Sequence, residues 1–147
     1  MKVVIQRAKE ASVKIIKGET RGIKSGIVIF LGLEKTDTKK TVEKMVKQIL
    51  PVRLFSSAKQ NMDCSILEQK GEILLISQIT LGADFSQGNC PNFSQVASFQ
   101  KAKSLYDYFL LLLQTESNLK VVSGEFGVMM EVSLINDGPV TVIFEEI

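Results

Sequence analysis

Apolar residues recur along this chain with two periods, one typical of strands and one typical of helices. Strand-like alternation of apolar and polar residues is found at 1–9, 11–17, 130–134 and 140–144. Residues 26–33 and 73–81 are almost continuously apolar, and this pattern predicts strands that are buried on both faces. The chain therefore opens as a predicted meander of strands and returns to strands at its C-terminal end.

Two segments show the helical spacing instead. The first is predicted to begin after Thr36-Asp37-Thr38, whose side-chain oxygens can cap a helix, and to end at Pro51. The second is predicted to begin near Ser98, and its apolar stripe comprises Ala102, Leu105, Tyr106, Phe109, Leu112 and Leu113. This order of elements predicts a single mixed α+β domain over residues 1–147, with two main helices against strongly curved sheets that form a barrel-like body.

Composition restricts the chemistry that the chain can perform. Apolar residues make up 45% and charged residues 23%, as in a globular protein, and there is no histidine. Without an imidazole, neither a Ser-His-Asp nor a Cys-His relay can form, and the two cysteines, Cys64 and Cys90, are too few for an all-cysteine zinc site. Glycine-rich phosphate loops are missing as well. The sequence therefore predicts no metal and no cofactor. If the chain is an enzyme, it must use positioning, backbone dipoles or the substrate's own groups.

Composition restricts the cellular location and the binding partners of the protein less than it restricts the chemistry. No apolar run approaches the ~20 residues that a membrane span needs, and the N-terminus is charged too early for a secretory signal, so we predict a cytoplasmic protein without membrane contact. The net charge of +2 is too small to indicate a nucleic-acid-binding protein by itself. Local clusters, such as the lysines of the first helix with Arg7, Arg53, Lys101 and Lys103, could still contact phosphates.

Two polar motifs stand out. Asn136-Asp137-Gly138-Pro139-Val140-Thr141 is a predicted turn between two alternating runs, and alone it fits an ordinary hairpin equally well. Ser77-Gln78-Ile79-Thr80-Leu81 ends a predicted buried strand with polar side chains, where an ordinary core strand has none. The two motifs together indicate a functional site.

These motifs resemble the D-aminoacyl-tRNA deacylase family, also called the D-tyrosyl-tRNA deacylase family, and the resemblance extends over the whole chain. Further residues that carry it are Gln6-Arg7, Ala11-Ser12-Val13, Gly32-Leu33-Glu34, Arg53-Leu54-Phe55-Ser56, Gly88, Pro91, Phe93, Leu105-Tyr106-Asp107-Tyr108-Phe109, Gly124, Phe126 and Met130. The resemblance implies a hydrolase that cleaves the ester bond of D-aminoacyl-tRNA, and of glycyl-tRNA mischarged on tRNA-Ala. It also implies a deacylase-like fold and a homodimer, in which the two motifs from opposite subunits meet at each active site.

The same resemblance implies roles for individual residues. Catalysis is expected of Ser77, Gln78, Ile79 and Thr80; chiral selection of Asp137, Gly138 and Pro139, with a cis Gly138-Pro139 bond; and contact with the 3′-terminal adenosine or the tRNA of Phe126, Met130 and Arg7. Thr80 could be a nucleophile, but no base accompanies it. We favour a role in which its hydroxyl and the N–H groups of Ile79 and Thr80 surround the ester. As isolated residues, Phe126 and Met130 would be interpreted as core.

Some residues differ from the family pattern: Ile79 replaces a phenylalanine, Cys90 and Asn92 flank Pro91, Phe99 replaces a proline, and Met129 stands where an acid is common. We expect these differences to alter rate or tRNA preference, because both motifs are intact. The alternatives are a non-catalytic nucleic-acid-binding member of the same family and a plain dimeric structural module. Release of amino acid from D-aminoacyl-tRNA distinguishes them.

Overall fold

The structure of the chain, a computed structural model that describes residues 1–146, combines eight strands with three α-helices and one 3₁₀ helix. In chain order the elements are β1 (Lys2–Ile15), β2 (Thr20–Ile23), β3 (Gly26–Gly32), α1 (Lys39–Ile49), β4 (Arg53–Phe55), β5 (Cys64–Ser65), α2 (Ile66–Gln69), β6 (Glu72–Ser77), the 3₁₀ helix (Ile79–Gly82), α3 (Phe99–Ser117), β7 (Val121–Ser123) and β8 (Met130–Glu145). Within residues 1–146, no helix is both long and apolar enough to span a membrane.

Strand β1 is the spine of a six-stranded mixed sheet. It pairs antiparallel with β3 and β2 along one edge and with β8 along the other. Strands β6 and β7 extend the sheet beyond β3 in parallel orientation, and β4 and β5 form a separate two-stranded sheet. The large sheet curls into a nearly closed barrel, so the predicted α+β class with a barrel-like body and two main helices is confirmed.

The first strand differs from the prediction. It continues from residue 2 to residue 15, although a polar corner after residue 9 was expected to divide it. The pairing of β1 with β8 instead shifts register between Gln6 and Ala8 and again between Ala8 and Glu10. The second shift leaves Lys9 of β1 without a partner on β8, and a bulge of this kind absorbs the break in the alternation while the strand goes on.

Two hydrophobic clusters lie on opposite faces of the sheet. The larger includes Ile29 and Leu75 together with the buried stripes of α1 and α3. The smaller contains the intervening residues Val28 and Leu74 and is covered by apolar side chains of β8. Strands β3 and β6 are therefore buried on both faces, as their continuous apolar pattern predicts.

The helix boundaries agree with the sequence pattern. Thr38 caps α1 through a reciprocal pair of hydrogen bonds with Thr41, and Pro51 follows its last turn. Helix α3 begins directly after Ser98, but the Ser98 side chain makes no capping hydrogen bond. The stripe on α3 buries Leu105, Tyr106 and Phe109, among others, against the sheet.

Candidate active site

Residues 137–140 form a loop that projects from the edge of β8, and we call it the Gly-Pro loop. A turn between two strands was predicted here, with an ordinary hairpin as the alternative to a functional site. The structure instead continues one strand, β8, on both sides of the loop along the same partner strand. Asn136 pairs with Ala8 and Thr141 pairs with Gln6, so four residues of β8 stand opposite a single residue of β1, Arg7. The excess chain has no place in the ladder and bulges outward.

Side chains at the base of the Gly-Pro loop hold it in place. Asn136 accepts a hydrogen bond from the Val140 N–H (2.8 Å) and donates to the Val140 carbonyl (3.2 Å), so its amide replaces the missing strand partner. Arg7 donates from Nε to the Asp137 carbonyl (2.8 Å) and from a terminal nitrogen to the Leu54 carbonyl (2.5 Å). The Arg7 side chain is 12% exposed and also lies 3.5 Å from the Asp137 carboxylate. This geometry gives Arg7 a positioning role beneath the loop.

The tip of the loop is exposed. The Gly138–Pro139 peptide bond is cis, as the resemblance implies, and Gly138 has φ of +151°. A Cβ atom on Gly138 would lie 2.7 Å from the Val140 nitrogen and 2.8 Å from its Cγ2 atom. Only glycine therefore fits this position without displacing the loop.

The second motif does not end as a strand. Strand β6 ends at Ser77, and a 3₁₀ helix follows, where the apolar pattern predicted a strand to residue 81. The change occurs at Gln78, whose φ of −133° and ψ of 81° turn the chain out of the sheet while its N–H still bonds to the Leu31 carbonyl (2.8 Å). The next two N–H groups, of Ile79 and Thr80, bond to no acceptor among residues 1–146. The start of the helix thus presents two free amide donors.

The side chains around these amides are polar or exposed. The Gln78 side-chain amide donates to the Thr80 hydroxyl (2.5 Å), which links the two residues across the turn. Ile79 is 62% exposed, and Thr80 is exposed as well. Within residues 1–146, no titratable side chain forms a hydrogen bond with the Thr80 hydroxyl.

A cavity of about 410 Å³ opens beside this turn. Its lining consists of Leu31, Leu33, Ser77, Gln78, Ile79, Val96, Ala97, Phe99, Ala102, Phe126, Gly127, Val128 and Met129. This lining includes neither a carboxylate nor a cation. The cavity therefore offers apolar contact area and a few polar groups at one end, as small-molecule sites commonly do.

Aromatic side chains form part of the cavity wall. The Phe126 ring lies 5.3 Å from the ring of Phe99 at 65°, and 5.3 Å from the ring of Tyr106 at 50°. The Tyr106 hydroxyl donates to the Leu75 carbonyl (3.1 Å). Burial, with a smaller effect of the Asp107 charge, raises the pKa of Tyr106, so the phenol stays neutral behind the wall. Phe99 is 62% exposed at the mouth of the cavity.

The structure separates some residues that the resemblance groups together. Met130, the first residue of β8, packs against the smaller hydrophobic cluster and does not line the cavity. Its neighbour Met129, which is 73% exposed, lines the rim instead. Three of the positions that depart from the family pattern, Ile79, Phe99 and Met129, all lie on the cavity. Sequence reasoning noted the last two only as departures, since their proximity depends on long-range packing.

The two motifs do not meet within one chain. Ser77 pairs with Leu31, and Leu31 pairs with Val3, whereas the Gly-Pro loop lies opposite Arg7. Val3 and Arg7 are four residues apart on β1, which is about 13 Å along the strand, and three strand spacings separate β6 from β8. The two motifs therefore lie apart on the sheet of one chain.

The chemistry available at the cavity is limited to positioning. Residues 1–146 contain no group of three or more His, Cys, Asp or Glu side chains arranged to hold a metal ion. The cavity has an aromatic wall and is lined by Gln78 and Ile79 at the start of the 3₁₀ helix, and the adjacent Thr80, outside the lining, adds a second free amide and a hydroxyl. Such an arrangement can bind a flat base and stabilise an oxyanion.

Comparison with known proteins gives a coherent result. Residues 4–145 match the family model described as D-Tyr-tRNA(Tyr) deacylase. Two relatives named D-aminoacyl-tRNA deacylase, from Thermosipho melanesiensis and Nitratiruptor sp., are 44% and 46% identical, and each alignment covers 99% of this chain and 97% of the relative.

Solved structures agree with the sequence comparisons. A structure titled c-Myc DNA Unwinding Element Binding Protein is 37% identical with a TM-score of 0.92, and the match covers 99% of both chains. A second structure, titled as a probable eukaryotic D-amino acid tRNA deacylase, has a TM-score of 0.87 at 18% identity and covers 97% of both chains, which shows the shared fold.

Proposed function

Because this chain belongs to the D-aminoacyl-tRNA deacylase family of hydrolases, and aminoacyl-tRNA is that family's substrate, we propose that it hydrolyses D-aminoacyl-tRNA with chiral selection at the cavity described above. The observation that carries this proposal is the pair of free N–H groups of Ile79 and Thr80 beside an aromatic-walled cavity that has no titratable lining. An activated ester needs little more than orientation and oxyanion stabilisation.

The proposed reaction proceeds through a tetrahedral intermediate. The two amide donors hold the carbonyl oxygen of the ester as water adds to the carbonyl carbon and negative charge develops on that oxygen. A proton of the water passes to the 2′-hydroxyl oxygen of the terminal ribose, and the 2′-hydroxyl proton passes to the departing 3′-oxygen. The C–O ester bond breaks, which leaves free amino acid and tRNA. The Thr80 hydroxyl, held by the Gln78 amide, orients the ester in this scheme.

The aromatic wall gives the terminal adenosine a binding surface. Phe126 is half-buried, and its ring is fixed between Phe99 and Tyr106, so it presents a preorganised face. Phe99 adds an exposed second aromatic surface at the mouth, where the base enters. Stacking of a nucleic-acid base on an aromatic side chain contributes about 1–3 kcal/mol.

We assign chiral selection to the Gly-Pro loop of a second subunit. The loop is exposed, anchored from below by Arg7 and Asn136, and too far from the cavity of its own chain to act there. In a homodimer its main-chain carbonyls would hold the substrate α-ammonium and leave no space for an L side chain. D-residues and glycine fit such a filter, so glycyl-tRNA mischarged on tRNA-Ala is a second substrate.

Complementation tests the composite site. We expect Ile79→Pro and Gly138→Ala chains to be nearly inactive as homodimers, because each variant damages one half of every site. A heterodimer of the two has one site with both halves intact, so it should recover about half of the wild-type activity per dimer. Distinct tags at the C-termini allow its isolation, since the Met1 ammonium is buried against Glu34 and Asp37.

Two results would contradict a site shared between subunits. If both halves belonged to one chain, each chain of the heterodimer would carry a defect, and activity would stay at the level of the two homodimers. A fully active wild-type monomer in sedimentation would equally exclude the composite site.

DNA binding is the second candidate function, and the specific observation that favours it is the 37% identity to the DNA unwinding element binding protein. The cavity favours hydrolysis, because its features suit an ester and a single base. Tight binding of duplex DNA by a protein that releases no amino acid from D-tyrosyl-tRNA would support the second function and exclude the first.

A further inference from the structure

Most of the basic residues that the sequence offers as phosphate contacts are occupied. Arg7 is buried beneath the Gly-Pro loop, Arg53 pairs with Asp63, and Lys103 pairs with Asp107 on its own helix. On α1, Lys44 pairs with Glu146, and the Lys39 ammonium lies 5.2 Å from the centre of the Tyr108 ring. The chain's cations therefore do not form one uniform basic surface.

Two lysines adjoin the lining of the cavity. Lys35 follows Leu33 of the cavity lining by two residues, and Lys101 immediately precedes Ala102 of the same lining. Neither forms an ion pair with a carboxylate among residues 1–146. Both lysines thus adjoin the cavity lining along the chain without a carboxylate partner in the described part of the chain.

The surrounding backbone fixes both residues at the rim. The Lys35 N–H donates to the Gln95 carbonyl (2.9 Å), and the Ala97 N–H donates to the Leu33 carbonyl (3.1 Å), which joins the two segments that form this wall. The Lys101 ammonium donates to the Lys35 carbonyl. One of its three protons is used in this way, so two remain for a ligand.

The acids next to these lysines are engaged elsewhere. Glu34 lies 2.8 Å and Asp37 2.9 Å from the Met1 ammonium, and Met1 is fully buried. The Asp37 carboxylate also accepts from the Glu34 N–H (2.7 Å). The two carboxylates exceed the one ammonium by a single negative charge, and Lys35 and Lys101 outweigh it, which leaves this edge of the cavity with a net positive charge.

We infer that Lys35 and Lys101 bind backbone phosphates of the single-stranded 3′ end of the tRNA as it leaves the cavity. This inference rests on the proposed function, which places the terminal adenosine in the cavity next to them. The nucleotides that precede the adenosine carry a phosphate each and must pass over the rim. Lysine is suited to this contact because it interacts as a point charge and needs no fixed ligand geometry.

The test compares a substrate that has phosphates with one that has none. For the Lys35→Gln/Lys101→Gln variant we expect kcat/KM on D-tyrosyl-tRNA to fall about tenfold at low salt, mainly through KM. Hydrolysis of 3′-O-(D-tyrosyl)-adenosine, which has no phosphate, should stay at the wild-type rate. The slope of log kcat/KM against log salt should become shallower by about 1.4, since each single-strand phosphate contact contributes about 0.7.

A control variant removes the same charge elsewhere. Lys47 lies in the last turn of α1 and Lys70 follows α2, at the opposite end of β6 from Ser77, and neither adjoins the cavity. We expect Lys47→Gln/Lys70→Gln to change kcat/KM on D-tyrosyl-tRNA by less than about twofold. An equal fall in both double variants, an unchanged salt slope, or an equal loss on the adenosine ester would overturn the inference.

The phosphate contact of the two lysines can be tested even if the protein proves not to be a deacylase. A wild type that releases no D-tyrosine from tRNA would refute the deacylation proposal, and the binding of uncharged tRNA between about 50 and 200 mM salt would then test the lysines alone. Equal affinity of wild type and the Lys35/Lys101 variant would refute the phosphate contact. Normal deacylation by that variant would refute the contact and leave the proposed function intact.

Discussion

Replacing Ile79 by proline is expected to lower kcat for D-aminoacyl-tRNA by about a hundredfold to a thousandfold, the usual loss when one oxyanion donor is removed. Proline has no N–H, so this substitution deletes one of the two free amide donors. The fold should survive, because the Ile79 N–H has no partner within residues 1–146, and Gln78, at φ −133° and ψ 81°, lies outside the helical region that proline disfavours before itself.

Ile79→Ala is the matched control for that variant. It removes the exposed side chain but keeps the N–H, and we expect kcat within about tenfold of the wild type, since little packing is lost. Equal kcat values for the proline and alanine variants, with intact folding shown by circular dichroism, would mean that the Ile79 amide does not stabilise the oxyanion.

Replacing the neighbouring Thr80 distinguishes a role in orienting the ester from a role as nucleophile. Thr80→Ala should keep kcat within about tenfold, because only one hydrogen-bonding side chain is lost. A threonine nucleophile would instead make this variant inactive, and a covalent acyl-enzyme could be trapped in the wild type by rapid quenching and mass spectrometry.

Replacing Gly138 by alanine is expected to lower deacylation of D-aminoacyl-tRNA by about a hundredfold, the cost of misplacing a positioning group by about 1 Å. The new Cβ would lie 2.7 Å from the Val140 nitrogen, and a φ of +151° is unfavourable for an L-residue. Gly88→Ala is the control, since Gly88 also has positive φ (+135°) but no atom within 4 Å of the new Cβ. Initial rates of amino-acid release measure both variants, and similar losses in the two would show that general backbone strain explains the effect.

Much of the fold follows from local patterns. The buried stripes of α1 and α3 and the two-faced burial of β3 are visible in the sequence, because hydrophobic periodicity reports which faces meet the core. The predicted strand boundaries were wrong where the pairing of strands that are distant in the chain decides the structure. Gly138-Pro139 has the local chemistry of a turn, yet β8 continues past it, because β1 offers a partner on both sides.

The candidate site, like the fold, could be predicted only in part from the sequence. Both motifs could be identified from the sequence, and the family resemblance supplied residue roles that no local pattern encodes. The free amides of Ile79 and Thr80 depend on the Gln78 dihedral angles, and the contact of Phe99 with Phe126 joins segments that are distant in the chain. The family resemblance pointed to the two amides, whereas the turn that leaves them free and the aromatic contact have no local sequence signal.

The most direct test of the central claim is a comparison of D-tyrosine and L-tyrosine release from the same tRNA by the purified protein. The proposed filter predicts rapid release of D-tyrosine, and of glycine from glycyl-tRNA, while L-tyrosyl-tRNA decays only at the rate measured without protein. Equal rates of release for D-tyrosine and L-tyrosine would contradict the chiral filter.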